Sequence, residues 1–369
     1  MATTVVFHTP YPLNPEATSA SGIRPVRMRN AFRDLGCTVF DVTGYAADRK
    51  RGIAAVEDYI RGGGTIDLVY SESSTMPTLM TEPHHLPTHP HMDFQFLGRL
   101  AKKGVPIGLF YRDIYWLFPE YRERVGRLIS TGTIALYRHD LRQYSRILRR
   151  LYLPSLEMGT HIPIVPRRLM DTLPPGADII PRTPPSEKGT DLNLFYVGGL
   201  SEHYRLEECV KAVGAAPNAH MVLCTRDSEW AAVKDTYAPL GGDSVQVIHK
   251  SGDDLTPYYN QADLAVLFVE PQPYWSFAVP FKLFEYIGRG IPIIATKGTW
   301  AGQMVAENNL GWTLPYRASA LVDLLADLRA HPDKLAAAAT AVAAAAPAHT
   351  WTARATQVIT DLTGRAPTP

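Results

Sequence analysis

Residues 280–296 read PFKLFEYIGRGIPIIAT and give the clearest indication of the fold. This stretch predicts a short helix at 281–287, followed at once by a buried strand at 292–295. A helix N-terminus offers unpaired N–H groups and a partial positive charge, to which Lys282 adds a full charge, so this end suits a pyrophosphate. Glu285 lies on the same helical face, where its carboxylate can accept hydrogen bonds from two adjacent ribose hydroxyls. The alternative is that the two side chains form only a surface ion pair.

Outside this stretch, short β-branched runs alternate with helical patterns, which is typical of βαβ units and parallel sheets. In the N-terminal half, strands are predicted at 3–8, 38–41, 67–70 and 106–111, and helices at about 25–35, 53–61, 94–103 and 120–151. In the C-terminal half, strands are predicted at 192–197, 220–224, 244–248, 264–268, 292–295 and 312–314. The C-terminal helices are predicted at 206–213, 228–237, 256–261, 281–287, 301–307, 318–329, 334–346 and 350–362. The predicted fold class is therefore α/β, with two Rossmann-like domains.

The domain boundaries follow from proline content and length. A chain of 369 residues has room for two domains of ~150–180 residues. Seven prolines between residues 163 and 185 interrupt the alternation, because packed helices and central strands exclude proline. The prediction is an N-terminal domain at 1–165, a linker at 166–190, a C-terminal domain at 191–348 and a final helix and tail at 349–369.

Composition narrows the class of protein. A hydrophobic fraction of 46% and a charged fraction of 20% are typical of a globular protein, and a net charge of +1 gives no overall attraction to nucleic acid. The three cysteines lie far apart with no CxxC spacing, which disfavours disulfides and a zinc site. The sequence also lacks a signal-peptide pattern and any apolar run of ~18 residues. We therefore predict a cytoplasmic protein, at most peripheral to a membrane.

The motif Pro280-x-Lys282-x-x-Glu285-Tyr286, followed by ENNLGW at 307–312, resembles the donor-binding region of GT-B-fold glycosyltransferases of the family-4-like kind. The resemblance implies two Rossmann-like domains facing a cleft, with the last helix crossing back to the first domain. It also implies a nucleotide diphosphate sugar as donor and no bound metal or other cofactor. Retaining members carry a second glutamate eight residues before the helix glutamate. Here that position is Phe277 and the nearest upstream carboxylate is Glu270, so retaining and inverting outcomes both stay open.

Other donor-side candidates lie where predicted strands end or helices begin. Glycines allow a backbone to approach phosphate, and basic residues neutralise its charge. By position and by resemblance, the candidates are Gly22, Gly199, Arg205, Arg226, His249 and Lys250. For each of them, an ordinary polar loop residue is the alternative.

Asp113 ends a predicted strand in the N-terminal half, where a carboxylate suits the removal of a proton from an acceptor hydroxyl. Tyr115 and Trp116 follow it and are candidates for stacking on an acceptor sugar. The alternative for Asp113 is pairing with Arg112 or capping of the next helix.

Two clusters have a structural and a functional interpretation. Four histidines interleave with prolines at 84, 85, 89 and 91, but their spacing matches no common metal motif, so polar contacts with the acceptor are the better interpretation. Five arginines recur at near-helical spacing, at 138, 142, 146, 149 and 150, beside apolar residues at 137, 141, 144, 148 and 151. Such a helix suits either an anionic membrane surface or plain packing on a core with a solvated basic face.

The predicted function is transfer of a sugar from a nucleotide diphosphate sugar to a hydroxyl of a glycan, a lipid-linked or a small-molecule acceptor. One alternative is a nucleotide-sugar epimerase of the same fold, which needs no acceptor. The other is a catalytically silent nucleotide-sugar-binding subunit, which the missing second glutamate allows. Incubation with donor alone distinguishes the epimerase.

Overall fold

The computed structural model describes residues 2–17, 19–183, 189–201 and 204–367. It divides into two compact units. Unit 1 comprises Met1–Pro175 together with Trp351–Pro369, and unit 2 comprises Gly176–Thr350. Each unit contains one six-stranded parallel sheet with helices on its faces.

Unit 1 is built on a sheet of strand order β2-β1-β3-β4-β5-β6. Its strands are β1 (Thr4–His8), β2 (Thr38–Val42), β3 (Leu68–Glu72), β4 (Ile107–Phe110), β5 (Arg150–Leu153) and β6 (Met170–Thr172). Its helices before residue 150 are α1 (Ala20–Asp34), α2 (Ala46–Arg61), α3 (Met92–Lys102), α4 (Pro119–Val125) and α5 (Arg127–Ile147). Strands β1, β3 and β4 are buried along their whole length, as expected for the centre of a parallel sheet.

Unit 2 has the strand order β12-β11-β10-β7-β8-β9. Its strands are β7 (Leu192–Val197), β8 (Ala219–Cys224), β9 (Val245–Ile248), β10 (Leu264–Leu267), β11 (Ile293–Thr296) and β12 (Gly311–Leu314). Its helices are α6 (Glu207–Ala215), α7 (Asp227–Gly241), α8 (Thr256–Gln261), α9 (Phe281–Gly288), α10 (Trp300–Glu307), α11 (Ala318–Ala330) and α12 (Pro332–Ala345). From β7, successive strands are added first on one side, as β8 and β9, and then on the other, as β10, β11 and β12. Open α/β sheets bind ligands at the carboxyl ends of the strands beside such a switch point, here between β7 and β10.

The last helix, α13 (Trp351–Thr363), belongs to unit 1. Its buried face includes Ala355, Val358 and Leu362. On the polar side, the Arg354 Nε donates to the backbone oxygen of Pro175 at 3.2 Å, and the Tyr152 hydroxyl donates to Asp361 at 3.1 Å. The prediction that the last helix returns to the N-terminal domain is confirmed.

The structure corrects two predictions in unit 1. The helix predicted at 120–151 is two helices, separated at Gly126, whose φ of 82° lies in the left-handed region. Its last residues instead form β5, because Leu151 and Leu153 are buried between β4 and β6. The segment predicted as a linker, 166–190, contains β6, so its first part belongs to the unit 1 sheet. Residues 184–188 of this segment lie outside the described part of the chain. In the described ranges, no helix is long and apolar enough to cross a membrane.

Candidate donor and acceptor sites

The glycine pair after β7, Gly198–Gly199, is held in place by a carboxylate from the first turn of α7. Glu229 Oε2 accepts from the Leu200 backbone N–H at 3.2 Å and from the Thr225 hydroxyl at 3.0 Å, and its Oε1 accepts from Arg226 at 2.7 Å. The Gly199 backbone oxygen is oriented as well, since it accepts from the Tyr196 hydroxyl at 2.7 Å. The loops after β7 and β8 therefore form one hydrogen-bonded edge, at which the Arg226 side chain is 79% exposed.

Lys282 and Glu285 lie in the first two turns of α9, as predicted, and they contact each other. The Lys282 Nζ is 2.7 Å from Glu285 Oε2, with the two side chains 30% and 27% exposed. A third group joins them, because the Tyr259 hydroxyl of α8 donates to the same oxygen at 2.8 Å. Burial and the adjacent Glu285 raise the pKa of Tyr259 far above its usual range, so it stays a donor. Tyr259 therefore holds the Lys282–Glu285 pair in place, and both charged side chains stay partly exposed to solvent.

The rest of the motif ties α9 to the neighbouring strand ends. Tyr286 is fully buried, and its hydroxyl accepts from the Val197 backbone N–H at 3.2 Å, one residue before the glycine pair. At the end of β8, the Cys224 thiol donates to the Lys250 backbone oxygen at 3.2 Å. Burial raises the pKa of Cys224, and the hydrogen bond to Lys250 and the Lys282 charge oppose this effect.

His249 completes this edge after β9. Its Nδ1 lies 2.8 Å from the Thr225 backbone oxygen, and its Nε2 lies 3.5 Å from Asp227. Lys250 is exposed next to it. The structure therefore brings together six of the predicted donor-side residues, at the carboxyl ends of β7, β8 and β9 and the start of α9: Gly199, Arg226, His249, Lys250, Lys282 and Glu285.

Arg205 lies on the β10 side of the glycine pair and has two acidic partners. Its Nε is 3.0 Å from Glu207 and its Nη1 is 3.0 Å from Glu270. The carboxylate nearest to the position of the missing glutamate is thus engaged with an arginine. Phe277, which occupies that position, is buried against Tyr274 with ring centroids 5.3 Å apart. Residue 277 is therefore an apolar core residue here, where retaining members have a carboxylate.

In unit 1, a proline explains how the first turn of α1 is attached to the sheet edge. The helix predicted at about 25–35 begins earlier, at Ala20, so Pro25 lies in the interior of α1. Proline has no N–H, so the backbone oxygen of Ser21 loses its helical partner. Arg112, at the end of β4, replaces that partner by donating to Ser21 at 2.6 Å. Gly22 is thus a packed helical residue whose Cα faces the Ala17 side chain.

A buried carboxylate organises the same edge and was not predicted. Glu72, at the end of β3, is fully buried and accepts from the Tyr70 hydroxyl at 2.9 Å and from Arg112 at 3.3 Å. Arg112 also donates to the Tyr11 hydroxyl. Arg24 approaches Glu72 at 3.4 Å and lies over the Phe110 ring at 3.5 Å, so it is a core residue. One acidic and two basic groups thereby fix the ends of β3 and β4.

Asp113 follows directly and is half-buried. Its Oδ1 accepts from the Tyr115 backbone N–H at 2.9 Å, which closes a local turn two residues along the chain. Burial raises the pKa of Asp113, opposed by these backbone hydrogen bonds and by Arg112. Trp116 is 3% exposed, stacks on Tyr137 at 4.9 Å and donates to Tyr111. The Trp116 ring is therefore packed in the core, so its assignment as an acceptor contact is wrong. Tyr115 is partly exposed.

Among the described residues, no group of three or more His, Cys, Asp or Glu side chains has the geometry of a metal site. In the 84–91 loop, three of the four histidines contact other groups of the protein. His85 contacts the backbone oxygen of Met80 at 3.0 Å, His89 contacts Lys50 at 2.8 Å, and His84 contacts the Leu86 backbone N–H at 3.0 Å.

The loop after β3 is anchored by a buried acid, which gives a prediction for stability. Asp140 accepts from the Thr78 backbone N–H at 2.7 Å, and burial raises its pKa to about 7, with Asp93 adding to the effect. Because the folded pKa is the higher one, the protonated form stabilises the fold, and this contribution is lost as pH rises from about 4 to about 7. We expect Asp140→Asn to remove on the order of a few kcal/mol of that pH dependence.

Thermal unfolding of the wild type and of Asp140→Asn between pH 5 and pH 8 measures this effect. The variant should gain stability relative to the wild type as pH rises. Asp41→Asn, at a partly exposed ion pair with Arg33, is the matched control. Parallel pH profiles for the wild type and Asp140→Asn would contradict the assignment.

Comparison with known proteins tests this description. Residues 191–331 match the family model described as "Glycosyl transferases group 1". Unit 2 is similar to glycosyltransferases over these residues. This range contains every donor-side residue gathered above, and the prediction that the chain is a nucleotide-sugar-dependent glycosyltransferase is confirmed. At the level of sequence, no curated protein matches significantly.

Solved structures of glycosyltransferases share the fold over the whole chain. Sucrose-phosphate synthase from Thermosynechococcus elongatus is 13% identical, with 97% of each chain covered and a TM-score of 0.62. Anabaena HepE in complex with UDP is 15% identical, covering 99% of this chain and 100% of HepE, with a TM-score of 0.61. WaaG, a glycosyltransferase involved in lipopolysaccharide biosynthesis, is 16% identical, covering 98% and 100%, with a TM-score of 0.59. The predicted two-domain α/β fold of the GT-B class is thereby confirmed.

Proposed function

We propose that the chain transfers a sugar from a nucleotide diphosphate sugar, bound at the carboxyl edge of the unit 2 sheet, to an acceptor hydroxyl. The observation that carries the proposal is the Lys282–Glu285–Tyr259 cluster on α9 and α8, beside the Gly198–Gly199 loop, inside the glycosyltransferase domain. We place the chain with the family-4-like enzymes that carry the P-x-K-x-x-E-Y motif, acting in the cytoplasm.

Each group at this edge has a chemical role in the proposal. The N-terminus of α9 and Lys282 neutralise the diphosphate, and Arg226 and Arg205 add charge from the neighbouring loops. Glu285, already oriented by Tyr259, accepts hydrogen bonds from the ribose hydroxyls. The backbone at His249 and Lys250, fixed by Thr225 and Cys224, reads the nucleobase. HepE structures contain UDP and UDP-glucose, so UDP-sugars are the first donors to test.

On the acceptor side, we propose Asp113 as the general base and Tyr115 as a sugar contact. The raised pKa of Asp113 favours proton abstraction, because a base is most effective when its pKa is close to the working pH. Gly22 lies at the same edge of unit 1, in the first turn of α1 that Arg112 holds through the Ser21 oxygen. The acceptor is a glycan, a lipid-linked sugar or a small molecule that carries a hydroxyl.

Nucleotide binding without metal is the direct test. We expect UDP to raise the Tm of the protein in EDTA as much as in magnesium, because Lys282 and the helix N-terminus supply the positive charge. Binding to the native state alone adds about 2.7 kcal/mol of stability at a ligand concentration of 100 Kd. Lys282→Met should lose most of the shift, and Lys211→Met, exposed on α6, should keep it. Stabilisation that requires magnesium or manganese would refute the metal-free proposal.

The two rival functions are separated by product analysis. A UDP-sugar incubated alone with the protein should stay unepimerised, while UDP release should rise when acceptors are added. Epimerised sugar without acceptor would favour the epimerase. Donor binding without release across a broad acceptor set would favour a silent binding subunit.

A further inference from the structure

The outer face of α5 carries a charged stripe with an apolar end. Successive residues of a helix are 100° apart, so Leu128, Arg142 and Arg146 lie within about 40° of one another on one side. The buried residues Tyr137 and Tyr144 lie on the opposite side. Leu128 and Arg146 are 18 residues apart, which corresponds to about 27 Å along the helix axis. Unit 1 therefore presents one side of α5 to solvent, with Leu128 near its N-terminal end and Arg142 and Arg146 near its C-terminal end. The core contacts lie on the other side of the helix.

The apolar end of this stripe is unusually exposed. Leu128 is 91% and Ile129 is 62% exposed, the highest values for large apolar side chains in the described ranges. They begin α5, directly after the break at Gly126. Two adjacent apolar side chains at a convex helix corner lose favourable burial unless another surface covers them.

Charge is concentrated in the same segment. Residues 119–150 contain eight arginines and three carboxylates, a net charge of +5 in a chain whose total is +1. One of the carboxylates, Asp140, is buried. The arginines of α4 and α5 are all exposed, at 122, 124, 127, 138, 142 and 146. Arg149 and Arg150 lie beyond the helix, so they leave the stripe predicted from the sequence.

We propose that this face docks onto an anionic lipid bilayer, with Leu128 and Ile129 entering the headgroup boundary and the arginine stripe lying along the phosphates. An exposed helix with several arginines and a small apolar protrusion at its start fits a flat, negatively charged surface. A protein groove would instead require a continuous apolar stripe, and this helix places its apolar stripe in the core. An anionic bilayer would bind this face whichever donor and acceptor the enzyme uses.

Vesicle sedimentation tests it with the full chain and no substrate. We expect binding to vesicles of equal phosphatidylcholine and phosphatidylglycerol at low salt, loss of binding at high salt, and no binding to pure phosphatidylcholine. Leu128→Ser with Ile129→Ser should weaken binding at least about tenfold. Arg138→Gln, Arg142→Gln and Arg146→Gln together should weaken it about 100-fold.

Matched variants separate this face from general charge and hydrophobicity. Leu86→Ser removes another exposed leucine, and Arg51→Gln, Arg61→Gln and Arg168→Gln together remove three exposed arginines elsewhere on unit 1. Both control variants should bind like the wild type. The UDP-induced Tm shift, measured on every variant, verifies folding and tests the donor site independently.

Three outcomes would overturn the inference. They are no sedimentation of the wild type with anionic vesicles, equal loss of binding in the control variants, or self-association of the wild type that Leu128→Ser with Ile129→Ser abolishes. The last outcome would identify a second copy of the chain as the occupant.

Discussion

Replacing Glu285 with alanine is expected to weaken binding of a UDP-sugar by roughly 30- to 1000-fold. Loss of two hydrogen bonds to a charged acceptor costs about 2–4 kcal/mol. Glu285 is partly exposed and needs no rearrangement to reach a ligand, because Lys282 and Tyr259 already orient it. Isothermal titration with UDP and with a UDP-sugar measures the effect.

Neighbouring variants assign the loss to the carboxylate. Tyr259→Phe removes one hydrogen bond to Glu285 but leaves its charge, so it should weaken donor binding much less. Asp235→Ala, exposed on α7 and outside the donor motif, is the control and should bind like the wild type. A Glu285→Ala protein that unfolds, or a Tyr259→Phe protein with the same loss, would show that Glu285 is structural.

The fold could be predicted from the sequence where local patterns and burial agree. The central strands β1, β3 and β7 are apolar runs bounded by turn residues, and each forms close to its expected position. Strand β5 was missed because the helical spacing of the preceding arginines continues into it. Only its place between β4 and β6 makes Leu151 and Leu153 core residues. Tertiary contacts therefore decided that segment against its local pattern.

The residues of the candidate site also divide into those that local sequence spacing indicates and those that it does not. Lys282 and Glu285 could be found because their three-residue spacing fixes a shared helical face. Their partner Tyr259 lies 26 residues away, and Glu229 lies 29 residues from the loop it orients, so no local spacing indicates either. One distant contact did leave a signal. Pro25, once α1 is known to begin at Ala20, frees the Ser21 oxygen for an outside donor, and Arg112 supplies it.

Asp113→Asn is expected to lower turnover by at least ~100-fold while leaving UDP affinity nearly unchanged. Asparagine keeps the Oδ1 that accepts from the Tyr115 backbone N–H, so the turn should persist while the base is lost. The measurement is the rate of UDP release in the presence of acceptor, with Kd for UDP from titration. Asp34→Asn, exposed at the end of α1, is the matched control and should be fully active.

The pH profile distinguishes a base from a turn-former at this position. A base acts only when deprotonated, so wild-type kcat should rise with pH through the pKa of Asp113, which burial places above that of an ordinary aspartate. The Asp113→Asn protein should lose this limb and retain a low, flat rate. If the variant keeps both the limb and the wild-type rate, Asp113 serves only to cap the turn at Tyr115, and another group must remove the acceptor proton.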